Sequence, residues 1–375
     1  MTDLNKEIDK ARHNVRTDSY SMSIGELASM YEDNELEIHP AFQRVFRWSD
    51  EQKSNFIESI FLGIPIPSIF VSQRQDGVWD LVDGLQRLST IFSFMNKLKD
   101  EEGSIRDPFT PEATKYLPSL KGRKWGTEDL DSADLLSNNL KLLFKRQKIA
   151  VNIIERESDD DAKFELFQRL NTGGSALSPQ EVRNCLLIML NNQAFDFIQA
   201  LTKDESFQKT VLVTEAKEDQ AYYYELVLRF FINRHASDEI RSKHSDVHTY
   251  VNNETIRLFD INSDFEYNKE REVFKNTFER IALALGDDAF KKYNPQKDRY
   301  EGAFSLPVFE AISTGISFLV ESDDYNEDAI VVVIAAKTKE LIDNNDFTNS
   351  YATRIRPIDR TKIMIGIGRS LFCED

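Results

Sequence analysis

The pattern of apolar residues changes once along this chain, and that change limits the folds it can adopt. Up to about residue 190, short β-branched stretches alternate with segments whose apolar residues recur at helical spacing. Beyond that point almost every segment has helical spacing. The candidate helices there are 219–234, 246–259, 266–286, 303–321, 326–343 and 358–372. We therefore predict an α+β protein, with an α/β lobe at residues 1–190 and an all-α lobe at residues 191–375.

The first lobe is predicted to contain three strands and several helices. The strands are "SIFVSQ", "GVWDLV" and "QKIAVNIIE". The first predicted helical region is the residues up to about 35, including a segment capped by Ser23, and the next helix is capped by Ser49 or Asp50 and ended by Gly63. Leu85 to Lys99 and "SDDDAKFELFQRLN" are two further predicted helices. The last has Ser178 as its cap, Pro179 as its first residue and Glu181 completing a capping box. Residues 101–146 are rich in turn formers, so we expect irregular structure there.

Composition argues against several classes of protein. No apolar run reaches the roughly 18 residues of a membrane-spanning helix, and the polar N-terminal segment lacks the apolar core of a signal peptide. Cys185 and Cys373 are far apart in the sequence and make neither a disulfide framework nor a metal cluster. We therefore expect a cytoplasmic protein without a membrane partner, with Cys185 buried in the core.

The formal net charge of −17 argues against a surface that attracts nucleic acid as a whole, but it leaves local basic patches open. The C-terminal segment is one such patch. Its basic residues are Arg354, Arg356, Arg360, Lys362 and Arg369. They would contact a partner or a phosphate backbone, or they would form the basic outer face of a final helix beside an acidic neighbour.

The segment "WDLVDGLQRLST" changes from strand to helix at Asp83 and Gly84. The first N–H groups of a helix lack internal partners and carry partial positive charge, so they can receive a phosphate. Gly84 would allow a ligand close to the backbone, and Arg87 would hold phosphate oxygens with two parallel hydrogen bonds. Asp83 would repel a bare phosphate, which indicates a bridging cation, a sugar hydroxyl or a water to be activated.

The same residues also suit an ordinary turn. Asp-Gly is a common turn sequence, aspartate caps helices, and Arg87 would then only pair with a surface carboxylate. Under the phosphate interpretation, Ser89 and Thr90 offer further hydroxyls nearby. This segment alone does not decide between the two interpretations.

Two other segments favour the phosphate interpretation. "HPAFQRVFRW" combines two arginines, a glutamine and three aromatic residues, a mix that suits stacking on a flat ring and binding an anion. An amphipathic strand with exposed arginines would have the same sequence. "FQRLNTGGSALSPQEVRN" has a glycine loop that presents backbone N–H groups, with Asn171 and Asn184 able to bind a base or sugar edge. A tight connection between two helices would use the same glycines.

Together, these segments resemble the N-terminal domain of the GmrSD-type restriction endonucleases. The family's aromatic-Gln-Arg-x-aromatic-x-Trp segment matches "FQRVFRW", and its Ser-Ile and "PIP" elements match Ser59–Ile60 and Pro65–Pro67. Its Asp-Gly-Gln-Gln-Arg hallmark matches "DGLQR", and its F-x-R-L-N-T-G-G-x-x-L-s-x-x-E-x-R-N segment matches Phe167–Asn184. The matches run in order over about residues 20–190.

The resemblance implies a ParB/sulfiredoxin-like fold with a small mixed sheet. It also implies a module that binds and often hydrolyses a nucleoside triphosphate, in systems that restrict foreign, usually modified, DNA. The residues carried over as catalytic are Asp83 and Gln86, with Asp83 also the expected contact to Mg²⁺. The residues carried over as nucleotide-binding, together with the nearby hydroxyls, are Arg44, Gly84, Arg87, Ser89, Thr90, Asn171, Thr172, Gly173 and Gly174.

One residue departs from the family's hallmark. Leu85 occupies the position where the family has its first glutamine. If that glutamine orients water or a phosphate, this chain would bind nucleotide and hydrolyse it poorly. Sulfiredoxin chemistry is not expected, because the turn has no cysteine near it.

Many relatives carry a second domain with a His-Asn-His metal nuclease, and this chain lacks that pattern. His244 and His248 are four residues apart and would share a helical face, which is metal-ligand spacing. Their polar surroundings and the lack of a third ligand favour a solvated helix start instead. We therefore expect the nuclease on a separate subunit, with DNA contacted indirectly.

Three functions are compatible with the sequence. The leading hypothesis is a cytoplasmic nucleotide-binding regulatory subunit of a restriction and anti-phage defence system, with or without Mg²⁺-dependent hydrolysis. A DNA-binding module would use "FQRVFRW" and the C-terminal arginines, and its DNA affinity would depend steeply on salt. A ParB-like nuclease would nick DNA on its own in the presence of a metal ion.

Overall fold

The computed structural model describes residues 4, 16–38, 48–100, 103–126, 134–155, 179–214, 221–321, 327–352 and 355–373. The chain forms two compact units, Met1–Ala176 and Leu177–Asp375. The first unit is built on a sheet, and the described elements of the second are almost all helices. The predicted α+β class is confirmed.

The first unit contains a five-stranded mixed sheet. Its strands are β1 (Thr17–Ser23), β2 (Leu36–Glu37), β3 (Ile69–Gln73), β4 (Trp79–Asp83) and β5 (Lys148–Ile154). They lie in the order β1-β5-β3-β4-β2. The pairs β1–β5 and β3–β4 are antiparallel, whereas β5–β3 and β4–β2 are parallel, so the predicted mixed sheet is confirmed.

The expectation of helix up to about residue 35 was wrong for residues 17–23, which form β1. This strand is polar and mostly exposed, and only Met22 is buried. Its seven residues pair with β5 from Thr17 opposite Ile154 to Ser23 opposite Lys148. The strand is therefore specified by backbone pairing with a buried neighbour, which leaves little apolar signal in its own sequence.

Four α-helices accompany the sheet among the residues described. They are α1 (Ile24–Glu32), α2 (Asp50–Phe61), α3 (Leu85–Phe94) and α4 (Asn138–Lys145). The caps predicted at Ser23 and Ser49 are confirmed: Ser23 accepts from the backbone N–H of Glu26, and Ser49 and Gln52 form a reciprocal capping box. Helix α4 falls in a stretch expected to be irregular. Phe144 is its one buried residue among those described.

Helix α3 is shorter than predicted, ending at Phe94 instead of Lys99. Asn96 takes a left-handed conformation (φ 56°) just beyond the end. Its N–H donates to the carbonyl of Ser93, and the N–H of Lys97 donates to the carbonyl of Phe92. These two bonds form a Schellman motif, in which asparagine replaces the usual glycine and thus hides the stop signal.

The second unit contains eleven helices among the residues described. They are α5 (Pro179–Leu190), α6 (Asn192–Thr202), α7 (Glu205–Thr210), α8 (Tyr222–His235), α9 (Asp238–Ser242), α10 (Val247–Phe259), α11 (Tyr267–Leu285), α12 (Leu306–Leu319), α13 (Glu327–Glu340), α14 (Asn345–Ala352) and α15 (Pro357–Cys373). A small hairpin, β6 (Lys292–Asn294) and β7 (Arg299–Glu301), lies between α11 and α12. Each helix predicted beyond residue 190 is present, whereas α6, α7, α9, α14 and the hairpin were not predicted.

Helix α12 lies at the centre of the second unit, since almost all its residues are buried. It packs most closely on α15, because Gly315 and Gly368 allow the two backbones to meet: a Cβ on Gly368 would overlap the carbonyl of Ala311. Helix α5 packs on α6, α8 and α10 and so belongs to this unit. The boundary between the two units, after Ala176, therefore comes earlier in the chain than the change of sequence pattern near residue 190.

None of the helices in the described part of the chain has the length and apolar composition that crossing a membrane requires.

Candidate functional site

The strand-to-helix turn is made by Asp83, the last residue of β4, and Gly84, the N-cap of α3. Gly84 has φ 111° and ψ 13°, a left-handed conformation that side chains disfavour. A Cβ placed there would lie 2.5 Å from Cγ2 of Ile69 on β3. The fold itself therefore requires glycine at this position, whether or not a ligand approaches.

Arg87, in the first turn of α3, is held against this turn by two hydrogen bonds. Its NH1 donates to the carbonyl of Ser68, just before β3, at 2.9 Å. Its NH2 donates to Oδ2 of Asp83 at 2.7 Å. Through these bonds the guanidinium connects α3 to the start of β3 and to the end of β4. Its side chain is 13% exposed, and that of Asp83 is 37% exposed, so both lie at the rim of the fold.

No side chain among the residues described caps the N-terminus of α3. Gly84 has no side chain to offer, and the first turn contains no acidic residue. The other described helices of the first unit are all capped by a serine, namely Ser23, Ser49 and Ser137. The positive end of α3 is therefore left without the capping side chain that would compete with an anion.

The other predicted residues of this helix are less accessible. Gln86 is half-buried in the first turn, and its carbonyl accepts a hydrogen bond from the Thr90 hydroxyl at 2.7 Å. Ser89 and Thr90 are fully buried, and the Ser89 hydroxyl has no hydrogen-bond partner among the residues described. Leu85 is partly buried and packs on the hydrophobic core, which accounts for an apolar residue at that motif position.

The structure thus brings together Asp83, Gly84, Gln86 and Arg87 at one turn. Arg44 and Asn171–Gly174, the other predicted nucleotide-binding residues, lie outside the described residues, as does the predicted helix "SDDDAKFELFQRLN". Ser178 lies there too, together with the side chains of Glu181 and Cys185. The predictions made for these residues stay predictions.

Asp83 fits a magnesium ion only as a single protein ligand. Mg²⁺ is usually held by one or two carboxylates together with substrate phosphates. Arg87 occupies Oδ2 of Asp83, while Oδ1 accepts no hydrogen bond from the residues described. The described part of the chain contains no group of three or more His, Cys, Asp and Glu residues placed to hold a metal. An ion here would therefore depend on a bound phosphate for its other ligands.

Arg183 and Asn184, from the end of the family-like segment, lie on α5 within the second unit. Both are buried, and Arg183 is fully so. The Arg183 Nε donates to Gln180 (2.8 Å), its NH1 donates to Asn252 (3.3 Å), and its NH2 forms an ion pair with Glu225 (3.1 Å). Asn184, predicted to bind a base or sugar edge, accepts from Gln180 at 2.7 Å.

The Arg183 contacts belong to a buried charged network. Glu225 also pairs with Arg229 (2.7 Å), which pairs in turn with Glu310 on α12 (3.0 Å). Burial lowers the pKa of Arg183 to about 10, with Glu225 opposing and Arg229 adding to the shift. The pKa of Glu225 is lowered, because the two arginines outweigh the effect of its burial. These charges connect helices of one unit and have a structural role.

A second charged cluster was missed by the sequence analysis. Arg74 contacts both carboxylate oxygens of Asp80, which is almost fully buried on β4, and also contacts Glu37 on β2. Burial lowers the pKa of Arg74, but the two carboxylates raise it by more, so it remains charged. The available signal was the polar Asp80 inside the strand pattern "GVWDLV", since a buried carboxylate needs a cation.

The histidines do not form the helical pair that their spacing predicted. His248 lies exposed in the first turn of α10, whereas His244 precedes the helix and its N-cap, Asp246. They therefore do not share a helical face, and the expected solvated helix start is confirmed. His235 pairs instead with the buried Glu270 at 3.2 Å.

The basic C-terminal segment forms α15, with Arg354 outside the described residues. Arg356 pairs with Asp359 at 2.7 Å, and the guanidinium of Arg369 lies 4.7 Å from the ring centre of Phe318. Lys362 is exposed on the same helix. Since Arg356 and Arg369 each have a partner from their own unit, these contacts favour the interpretation of a basic outer face of a final helix.

A protein-family model described as the GmrSD restriction endonuclease N-terminal domain matches residues 24–188. The comparisons with curated proteins and with solved structures each gave no match. The family match includes the turn at Asp83–Arg87 and extends into helix α5. The likeness to ParB and sulfiredoxin stays a prediction.

Proposed function

Because residues 24–188 belong to the GmrSD restriction endonuclease N-terminal domain family, we propose that this chain is the cytoplasmic nucleotide-binding subunit of a restriction and phage-defence system. Its nucleotide site is the start of α3, with Arg87 beside it. Its role is regulatory: the nuclease is carried by another chain, and contact with DNA is indirect.

The observation that supports this proposal most is the uncapped N-terminus of α3 next to a fixed guanidinium. An arginine has five N–H donors, and the described residues accept from two of those on Arg87. The remaining donors and the amides of the first turn can bind phosphate oxygens without rebuilding the turn. Because Ser68 and Asp83 already hold the side chain, little rotamer entropy is lost when a ligand binds.

The two predicted catalytic residues would act from this turn. Asp83 keeps Arg87 oriented through Oδ2 and would offer Oδ1 to an ion or a water. Gln86, one residue before Arg87, would orient a ligand at the same turn. Mg²⁺, when bound with the nucleotide, would supply neutralising charge for the phosphates. Leu85 packs on the core, whereas the family's glutamine at this position would provide a side-chain amide. We therefore propose tight nucleotide binding with slow hydrolysis.

The second unit supports a separate nuclease. The exposed His248 and the paired His235 lack metal-binding companions among the residues described. The segment that would carry a His-Asn-His unit in relatives is here a helical unit organised by internal ion pairs.

Isothermal titration calorimetry with ATP, GTP, CTP and UTP, each with and without Mg²⁺, tests the proposal. At least one nucleotide should bind the wild-type chain. Arg87→Ala should lose about 2 kcal/mol of binding free energy, or roughly 30-fold in Kd, since one charge-assisted forked contact is removed.

The matched control is Arg146→Ala, which removes an exposed arginine of the same unit at the end of α4. This variant should bind like the wild type. Failure of all four nucleotides to bind would refute the proposal, as would equal affinity losses in both variants.

A further inference from the structure

The exposed apolar segment just before β3, residues 64–67, has no place in the phosphate-binding turn, yet it lies directly beside it. We propose that this segment is the surface on which the base and ribose of the bound nucleotide lie. Its exposed residues, Ile64, Pro65 and Pro67, are called the apolar shelf below. The inference rests on the proposed nucleotide site and adds to it the part that holds the nucleoside.

Two contacts place one end of the shelf beside the turn. The carbonyl of Ser68 accepts a hydrogen bond from NH1 of Arg87 at 2.9 Å. The next residue, Ile69, lies so close to Gly84 that a Cβ on this glycine would be 2.5 Å from the Ile69 Cγ2. Pro67 immediately precedes these two contacts, and the rest of the shelf lies within three further residues, or about 10 Å of extended chain. A ligand bound at the turn can therefore reach the shelf.

The shelf offers apolar surface to the solvent. Ile64 is 49% exposed, and both prolines are exposed as well. Ile66, which lies between the prolines, instead packs on the hydrophobic core and anchors the segment. The side chains of residues 64–67 carry no hydrogen-bonding group, so the shelf would bind a ring by apolar contact alone. Apolar surface with a few polar groups at one end is the usual composition of a small-molecule site.

The backbone holds the shelf at both of its ends. At the end of α2, Gly63 takes a left-handed conformation (φ 68°), and its N–H donates to the carbonyl of Ile60 at 3.2 Å. The N–H of Ile64 donates to the carbonyl of Ser59 at 3.0 Å, which completes a Schellman motif. The two prolines fix φ within the segment, and β3 begins just beyond it. Little conformational entropy is therefore lost when a ligand contacts the shelf.

The two neighbours of the Arg87 guanidinium give the bound nucleotide a direction. NH2 contacts Asp83, whose side chain is 37% exposed and suits an ion that accompanies the phosphates. NH1 contacts the carbonyl of Ser68, next to the ring of Pro67. A base and ribose placed on the side of Pro67 would cover apolar surface without desolvating a carboxylate. The nucleoside therefore extends toward the shelf, and the phosphates stay between Arg87 and α3.

The first test compares two ligands by calorimetry in the presence of Mg²⁺: the nucleotide that binds the wild-type chain, and inorganic triphosphate. Ile64→Ser should weaken nucleotide binding about tenfold, because apolar contact with the nucleoside is lost. The same variant should bind inorganic triphosphate like the wild type. Arg87→Ala should weaken the binding of both ligands.

The matched control is Ile105→Ser. Ile105 is 60% exposed in the same unit and pairs with Lys99, beyond the other end of α3. This variant should bind both ligands like the wild type. An unchanged nucleotide affinity in Ile64→Ser would show that the shelf serves another contact, and equal losses for the two ligands would show a disturbed turn. Either result would overturn the inference while the phosphate site stands, whereas failure of every nucleotide to bind would refute the proposed function and this inference with it.

The second test reads the contact directly, by NMR of the wild-type chain labelled at the δ1-methyl groups of isoleucine. The Ile64 resonance is identified by its absence from Ile64→Ser. The nucleotide should shift this resonance, because an aromatic ring that lies on a methyl group changes its chemical shift, and inorganic triphosphate should not. The Ile105 resonance should stay in place with both ligands. An Ile64 resonance that ignores the nucleotide, or that responds equally to both ligands, would contradict the assignment of the shelf.

Discussion

Arg87 and Arg183 both lie in the family-matched segment, yet the molecule uses them differently. Arg183 is fully buried, and each of its three nitrogens contacts a partner from the second unit. Arg87 lies at the rim of the first unit and has donors to spare beside an uncapped helix end. The two arginines thus differ in exposure, and only Arg87 has donors that a ligand could reach. In Arg183 the same chemistry is used to build the fold.

The largest expected effect is on stability, from Arg183→Met. Glu225, buried beside it, would lose one of its two cations, so the second unit should lose about 3 kcal/mol of unfolding free energy. Arg356→Ala removes an exposed pair in the same unit and should cost less than about 1 kcal/mol. Urea unfolding followed by circular dichroism measures both.

The three tryptophans sharpen this experiment, because Trp48, Trp79 and Trp125 all lie in the first unit. Tryptophan fluorescence therefore reports the sheet unit alone. With Arg183→Met, the dichroism transition should move to lower urea while the fluorescence transition stays in place. A shift confined to the fluorescence, or a loss below about 1 kcal/mol, would contradict a structural role for Arg183 in the helical unit.

The next effect concerns the turn itself. Gly84→Ala should cost about 2 kcal/mol, because it adds overlap with Ile69 to an unfavourable backbone conformation. Gly77→Ala is the control, since Gly77 also has a positive φ (92°) but no atom lies within 4 Å of a Cβ built there. It should cost about 1 kcal/mol. Fluorescence-detected urea unfolding compares them, and equal costs would show that the contact with Ile69 is unimportant.

The last effect appears only in acid. Although burial raises it, the pKa of Glu270 falls from 4.5 to about 2, because hydrogen bonds from His235 and Arg234 outweigh the burial. A carboxyl whose pKa is lower in the folded than in the unfolded state stabilises the fold fully when the pH is above its unfolded-state pKa. That stabilisation is lost as the pH falls toward its folded-state pKa. Stability of the second unit should therefore decline between about pH 5 and pH 2.

Glu270→Gln should remove part of this acid sensitivity, while an exposed substitution such as Asp359→Asn should not. Dichroism-detected thermal unfolding at a series of pH values makes the comparison. An unchanged pH slope in Glu270→Gln would mean that this carboxylate does not carry the effect.

Strong local signals in the sequence gave correct predictions of structure. Serine caps followed by apolar residues at helical spacing correctly predicted the positions of α1 and α2. Runs of β-branched residues correctly predicted the positions of β3, β4 and β5. Strand β1 was missed because its stability comes from pairing with β5, and α3 was predicted too long because Asn96 replaces the usual glycine stop. Such features depend on partners distant in sequence or on rarer residues at helix ends.

The candidate site was only partly predictable for a similar reason. The sequence indicated that Asp83, Gly84 and Arg87 share a turn, but gave no sign that Arg87 would bond the carbonyl of Ser68. A backbone acceptor has no side-chain signature. Thr90 was expected to offer its hydroxyl, yet one turn into the helix that hydroxyl donates to the carbonyl of Gln86. A residue can therefore lie close to the site in sequence while its side chain is buried and unavailable to a ligand.

The central claim is that a nucleotide's phosphates bind at the start of α3. The most direct test is hydrogen exchange with and without the nucleotide that binds, read peptide by peptide over both units. We predict that protection increases over residues 84–88 in the wild type and that this increase is lost in Arg87→Ala. Protection confined to the second unit, with residues 84–88 unchanged, would contradict the claim.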